Sequence, residues 1–218
     1  MAWSRAAGSL GTLRKPWPVT LREDHPDVAV VLRPLRRRDA SQWLAVRSEN
    51  RAWLDPWEAT TPAGHQTITG FAEYVRFQNA AARAGTALPF VIEVDGALAG
   101  QLTVSSIQYG SLCGGTIGYW LSKSVAGRGV MPTAVALVVD YCFTMLDLHR
   151  IEINIRPENH ASLRVVEKLG FRDEGLRARY MHIKGQWCDH RTFAICAEDV
   201  PGGLLARWQQ ARIARDDG

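Results

Sequence analysis

The sequence predicts a single α/β domain built on a mixed, mostly antiparallel sheet of about seven strands flanked by helices. Three observations carry that reading. Asp95-Gly96 lies between two apolar runs, a hairpin signal because a type I′ turn needs positive φ and glycine supplies it cheaply. Two early helical patterns precede a meander of strands, and later strands are separated by single helices, so the sheet is mixed and not regularly doubly wound. Finally, 218 residues at 46% hydrophobic and 22% charged suit one well-packed core and leave little for a second.

Residues 1–26 carry Gly, Pro, Trp and basic residues without periodicity, and are expected to form a loosely ordered basic arm, part of which folds onto the domain of residues 27–218. Val28 to Leu35 reads as the first strand. Asp39 caps a helix with Trp43, Val46, Asn50 and Trp53 at helical spacing, and Pro56 stops it. Ile68, Phe71, Val75 and Gln78 mark a second helix that runs to Arg83 and ends before Gly85. Strands from Phe90 to Val94 and Leu98 to Ile107 flank the hairpin turn, and Thr116 to Ser122 forms the next. Apolar residues from Met131 to Leu146 recur along one stripe of a buried helix. His149 to Arg156 is a strand, Asn159 to Leu169 a short helix, Phe171 onward and Thr192 to Cys196 two last strands, and the tail from Glu198 a helix.

Composition excludes several classes. No apolar window is long enough to cross a membrane, and the N-terminus lacks the apolar stretch of a signal peptide, so a cytoplasmic protein without a membrane partner is expected. Cys113, Cys142, Cys188 and Cys196 form no CxxC pair, which argues for reduced thiols and against a structural metal or a disulfide scaffold. The formal charge of +4 favours an anionic ligand. The densest basic run, Arg33-Pro34-Leu35-Arg36-Arg37-Arg38, has no interleaved aromatics and reads as a strand end and a solvated turn, so no direct nucleic-acid recognition is expected.

The segment from Tyr119 to Thr133 leads from a strand through Gly127-Arg128-Gly129 into a helix. A helix start of this kind holds anions, because its first amides have no internal partner and the helix dipole adds positive potential. Pro132 suits the first helical turn. Val130 and Met131 stand where a nucleotide-hydrolase phosphate loop needs Lys and Ser or Thr, and Pro132 stands where a dinucleotide fingerprint needs glycine.

This loop, the Asn159-x-x-Ser162 pair and the Glu167-Lys168-Leu169-Gly170-Phe171 ending, taken in that order and spacing, resemble the GNAT acetyltransferases. Asn50 to Glu58 is similar to the acceptor-side helices of the Rim-type ribosomal-protein alanine N-acetyltransferases, particularly the RimJ-like branch. The resemblance implies a GNAT-type sheet splayed at the cofactor-binding strand, and acetyl-CoA as cosubstrate. It implies pyrophosphate on the backbone from Ser124 through Gly127, Arg128, Gly129, Val130 and Met131. Pantetheine would lie along Trp120, Leu121 and Ser122, with Asn159 and Ser162 near its arm and sulfur. Ser124 replaces a Gln or Arg common in the family, with Lys123 and Arg128 available to supply the charge.

Acetyl transfer to an amine needs a neutral amine, a donor for the oxyanion and a tolerable thiolate. A protein α-amine has a pKa near ~8, against ~10.4 for lysine, so an N-terminal acceptor needs only a weak base. Glu152 matches the base of the RimI-like branch, and also reads as an exposed strand residue between Ile151 and Ile153. Met181 and Val166 stand where other branches carry a carboxylate and a tyrosine. Ser162 is then the hydroxyl left to hydrogen-bond the departing thiolate, or a residue that caps its own helix. Trp53, Trp57 and Tyr74 are candidate acceptor-binding residues, and His149, His160, His182 and His190 read as structural. The expected acceptor is the N-terminal amine of a ribosomal or other protein. A small amine is the alternative, as is a non-catalytic acyl-CoA-binding module, in a monomer or homodimer.

Overall fold

The computed structural model describes residues 17–25, 28–62 and 70–216. The strands are β1 (Leu21–His25), β2 (Val28–Pro34), β3 (Leu88–Val94), β4 (Ala97–Gln108), β5 (Gly114–Leu121), β6 (Arg150–Ile155), β7 (Arg172–Ile183) and β8 (Gln186–Cys196). The helices are α1 (Ala40–Glu49), α2 (Arg51–Leu54), α3 (Phe71–Arg83), α4 (Val130–Met145), α5 (His160–Leu169) and α6 (Leu204–Asp216). Among the described residues the sheet has eight strands in the order β1-β2-β3-β4-β5-β6-β8-β7, and only β5 and β6 run parallel. The added strand is β1: part of the segment read as a loose arm pairs antiparallel with β2, while residues 1–16 and Pro26 lie outside the described residues. Ile68, the expected start of the second helix, also lies outside them.

Local chemistry explains most boundaries. Asp95 and Gly96 both have positive φ, as the β3–β4 turn requires. Gly170 takes a left-handed conformation at the end of α5, where a side chain would be strained. Asp39 precedes α1 but does not cap it. Its carboxylate accepts from the Arg36 amide at 2.7 Å and pairs with buried Arg33 at 2.8 Å, so it ties β2 to the following turn. The expected single helix through Trp53 breaks at Asn50, whose side-chain amide turns back to the Val46 carbonyl.

The main core lies between the sheet and α4, α5 and α6. From α4, Val130, Ala134, Val135, Val138, Val139 and Cys142 are almost wholly buried, each large apolar side chain contributing about 1.5–3 kcal/mol by leaving water. A smaller apolar cluster under α1 and α3 joins Leu35, Val75, Val91 and Leu98 to Trp43, Phe71, Tyr74 and Trp120. The tail helix is anchored to α4 at both ends of its first half. Asp140 accepts from the Leu204 and Leu205 amides, and Trp208 donates to Thr133 at 2.9 Å beside the glycine turn. Among the described residues no helix is long and apolar enough to cross a membrane.

Candidate active site

The parallel pair β5 and β6 is matched over only four residues, Gly114–Ile117 against Arg150–Ile153. β5 then follows β4 to Leu121, and β6 follows β8 to Ile155, so the two strands part from Gly118 and Asn154 onward. This is the expected splay. Two buried side-chain polar atoms among the described residues have no hydrogen-bond partner, the Tyr119 hydroxyl and the Asn154 Nδ2, and both belong to the parted segments. A buried polar group left unpaired costs about 1–3 kcal/mol. Both costs fall where the strands separate, which fits a polar chain lying between them and supplying the missing partners. Strand alternation places Tyr119 with Ile117 on the core side and Asn154 with Glu152 on the other. Burial pushes the Tyr119 phenol up to about 12, and Ser162 is the side chain that opposes it. Thr192 on β8 donates to Asn154 Oδ1 at 2.7 Å and so fixes the direction of the amide.

At the end of β5 the chain turns through residues 123–125 and reaches Gly127 and Gly129, at φ of 86° and 82°. Gly129 is the N-cap of α4 and carries no side chain that could accept from its first amides, including those of Val130 and Met131. The turn is held from outside. Asn50 Oδ1 accepts from the Lys123 amide at 2.8 Å and from the Ser122 hydroxyl at 3.3 Å, and Ser122 also meets Ser124 at 2.9 Å. Of the two cations suggested for the charge missing at Ser124, Arg128 reaches Asp95 at 3.0 Å and Lys123 lies 6.0 Å from the centre of the Trp53 ring. The turn therefore offers main-chain donors first.

On the core side of the gap, Asn159 is the N-cap of α5, and its Oδ1 accepts from the Ser162 amide at 3.1 Å. The helix cap is thus Asn159 and not Ser162. Val166 is fully buried in the core.

Glu152, the candidate base, is engaged on both carboxylate oxygens. Its Oε1 accepts from Arg150 at 2.8 Å and its Oε2 from Arg177 at 3.1 Å. Arg150 also pairs with Glu174, which holds that carboxyl down to about 2 through its hydrogen bonds to Arg150 and Arg172. Glu152 thereby joins the ion-pair network that links β6 to β7.

The acceptor-side candidates separate. Trp53 Nε1 donates to the Leu121 carbonyl at 3.1 Å, which places the indole against the end of the cofactor strand. Trp57 lies under the Arg156 guanidinium at 5.7 Å, and Arg156 donates to the Pro56 carbonyl, so both stand at the open end of β6. Tyr74 does not join them. Its hydroxyl receives hydrogen bonds from Gln101 at 2.6 Å and Gln78 at 2.8 Å within the aromatic cluster of α1 and α3. The Trp120 side chain points into that cluster too, against Trp43 and Arg47, so only its backbone borders the gap.

Sequence reasoning did not single out Tyr119, Asn154 or Arg156, and it read His190 as structural. Burial pushes His190 below its usual value, with Arg156 adding to that and a hydrogen bond to the Cys188 carbonyl opposing it. Strand alternation after a known glycine turn could have pointed to Tyr119. Nothing in the sequence announces that Thr192 will orient Asn154. Away from the gap, His149, Cys196 and Glu198 converge within 4.8 Å, but the His149–Glu198 contact is exposed and Arg172 lies 4.0 Å from the Cys196 sulfur.

A family model described as an acetyltransferase (GNAT) domain matches residues 29–172. The chain is 36% identical over 172 residues to the probable N-acetyltransferase YjcK of Bacillus subtilis, covering 78% of this chain and 95% of that protein. It is 30% identical over 176 residues to the [ribosomal protein uS5]-alanine N-acetyltransferase of Escherichia coli, covering 79% and 91%. Among solved structures it is similar to Mycobacterium smegmatis RimJ in complex with CoA-disulfide, with 40% identity, a TM-score of 0.83, and coverage of 89% of this chain and 95% of that one.

Proposed function

Because the chain belongs to the GNAT family of acetyl-CoA-dependent N-acetyltransferases, we propose that its acceptor is the N-terminal α-amine of a ribosomal or other protein, alanine being the first residue to test. The likeness to M. smegmatis RimJ over nearly the whole chain carries this reading, and the likeness to the E. coli uS5-alanine enzyme supports the residue type.

In this reading the backbone of the glycine turn and the first amides of α4 hold the pyrophosphate, and the free edge of β5 from Gly118 to Leu121 takes the pantetheine. The amine nitrogen attacks the thioester carbonyl, the carbon–sulfur bond breaks, and the Ser162 hydroxyl hydrogen-bonds the leaving thiolate. A main-chain amide near the end of β5 meets the oxyanion. The amine proton passes to water, which an α-amine near ~8 permits at neutral pH. Trp53, Trp57 and Arg156 line the acceptor side.

The test is mass spectrometry of ribosomal proteins and N-terminal peptides incubated with the protein and acetyl-CoA, with the modified position mapped. A gain of one acetyl group on an α-amine is the expected result. Acetylation confined to polyamines or other small amines would overturn the acceptor assignment.

A further inference from the structure

A pocket of about 590 Å³ opens at the far end of the sheet from the glycine turn, and its rim carries Arg36 and Arg37 from the turn after β2 and Arg76 and Arg83 from α3. One wall is Trp17, whose indole donates to Asn79 at 3.1 Å, while Asn79 donates to the Val75 carbonyl. Pro34, also in the lining, pairs with Phe90 on β3, whereas Arg128 of the glycine turn reaches Asp95 just past the other end of that strand. Five residues of extended chain, about 17 Å, separate the two positions.

The basic run at 33–38 is divided by the fold. Arg33 is buried and spent on Glu93 and Asp39, while Arg36 and Arg37 turn outward to meet the arginines of α3. No acidic residue lines the pocket. Among the described residues Arg36, Arg37 and Arg83 form no salt bridge, and Arg76 has only exposed Glu73, 3.7 Å away. The sixteen residues before Trp17 include Arg5, Arg14 and Lys15 and no acidic residue.

Arg76 and Arg83 are seven residues apart, about 10 Å along the helix, and the other two arginines come from a different element. That spread is too wide for one small anion and suits an extended one. Guanidinium groups stay charged at any working pH and grip phosphate oxygens two at a time. We propose that this pocket docks the phosphate backbone of RNA, apart from the acetyl-transfer site. The choice of RNA over other polyanions rests on the ribosomal-protein reading, since such an N-terminus is presented beside RNA.

The experiment is fluorescence anisotropy of a labelled RNA hairpin with the full chain and no acetyl-CoA, from about 50 to about 200 mM salt. Four phosphate contacts predict a loss of affinity of roughly a hundredfold across that range. Arg37→Glu with Arg83→Glu should weaken binding at least about tenfold while thermal unfolding and acetylation of a free peptide stay unchanged. Arg164→Glu with Lys168→Glu on α5 changes the net charge equally and should weaken it far less. No RNA binding at the lowest salt, equal losses in the two double variants, or binding of a polyglutamate peptide or an anionic vesicle in place of RNA would each overturn the proposal. Peptide acetylation is read separately, so failure of the acceptor assignment cannot be mistaken for failure of the RNA surface.

Discussion

Asn159 Oδ1 accepts from the Ser162 amide at 3.1 Å at the start of α5, which leaves the Ser162 hydroxyl out of the helix cap. Ser162→Ala should lower kcat roughly ten- to hundredfold, the equivalent of about 1.5–3 kcal/mol for a hydrogen bond to a charged leaving group. Calorimetric affinity for acetyl-CoA should hardly change. Unaltered turnover would leave Ser162 a structural residue.

Tyr119→Phe removes a buried hydroxyl that has no hydrogen-bond partner. Without ligand the variant should be more stable by about 1 kcal/mol, a rise of about 2–4 °C in Tm for a chain of this size. If a bound pantetheine arm supplies the missing partner, the gain shrinks when CoA is present, and CoA affinity falls. A Tm gain equal with and without CoA would remove Tyr119 from the cofactor gap.

Asn50 joins the acceptor-side helices to the cofactor turn through its contacts with Ser122 and Lys123, and its side chain is largely buried. Asn50→Ala leaves those donors without an acceptor at a cost of about 1–3 kcal/mol. It should lower Tm and raise the Kd for CoA together. Restoration of both by Asn50→Asp, which keeps an oxygen in place, would separate this tether from a loss of packing.

What the sequence disclosed followed from short-range chemistry. Asp95-Gly96, Gly127-Arg128-Gly129, Asn159 and Gly170 each set a turn or a helix end through their own backbone preferences, and each lies where expected. β1 was hidden because Leu21, Arg22, Glu23 and Asp24 alternate half-buried and exposed on a sheet edge, with no apolar run to mark the strand. The role of Glu152 was hidden for a different reason. Its partners Arg150 and Arg177 are two and twenty-five residues away, and the β6-β8-β7 order that brings Arg177 near is not visible in local pattern. The destination of the Tyr74 and Trp120 side chains was not legible, because helical or strand spacing shows that a residue faces inward without showing which of two apolar clusters receives it.

Gly127→Val and Gly129→Val should impair cofactor binding by different routes. Both positions have φ near +80°, where a branched side chain is strained. Nothing lies within 4 Å of a Cβ at Gly127, so that variant stands in the open space of the turn, and its effect should appear chiefly in the Kd for CoA. A Cβ at Gly129 would contact Trp208 at 3.5 Å, which braces α6 on the start of α4, so this variant should also lower Tm. Unchanged CoA affinity in both, measured by calorimetry, would sink the loop assignment.

Acid should unfold the protein in two stages. His190 titrates below its ordinary 6.5 because burial disfavours the imidazolium. The unfolded chain therefore takes up that proton first, and stability present above about pH 6.5 declines as pH falls below it. Glu174 is held at about 2 against an ordinary 4.5, so its ion pairs stabilise fully above about 4.5 and that contribution is lost as pH drops toward 2. Tm recorded from pH 8 to about pH 3 should fall in both windows, and Glu174→Gln should make the lower fall shallower, with the lowered Asp39 and Asp173 carboxyls still contributing to it, and leave the upper one as it is. Salt separates the causes. The Glu174 network is partly exposed and should weaken in about 0.5 M salt, where the screening length drops to a few ångströms. The His190 stage arises mainly from burial, which dissolved ions do not screen, so it should persist unchanged.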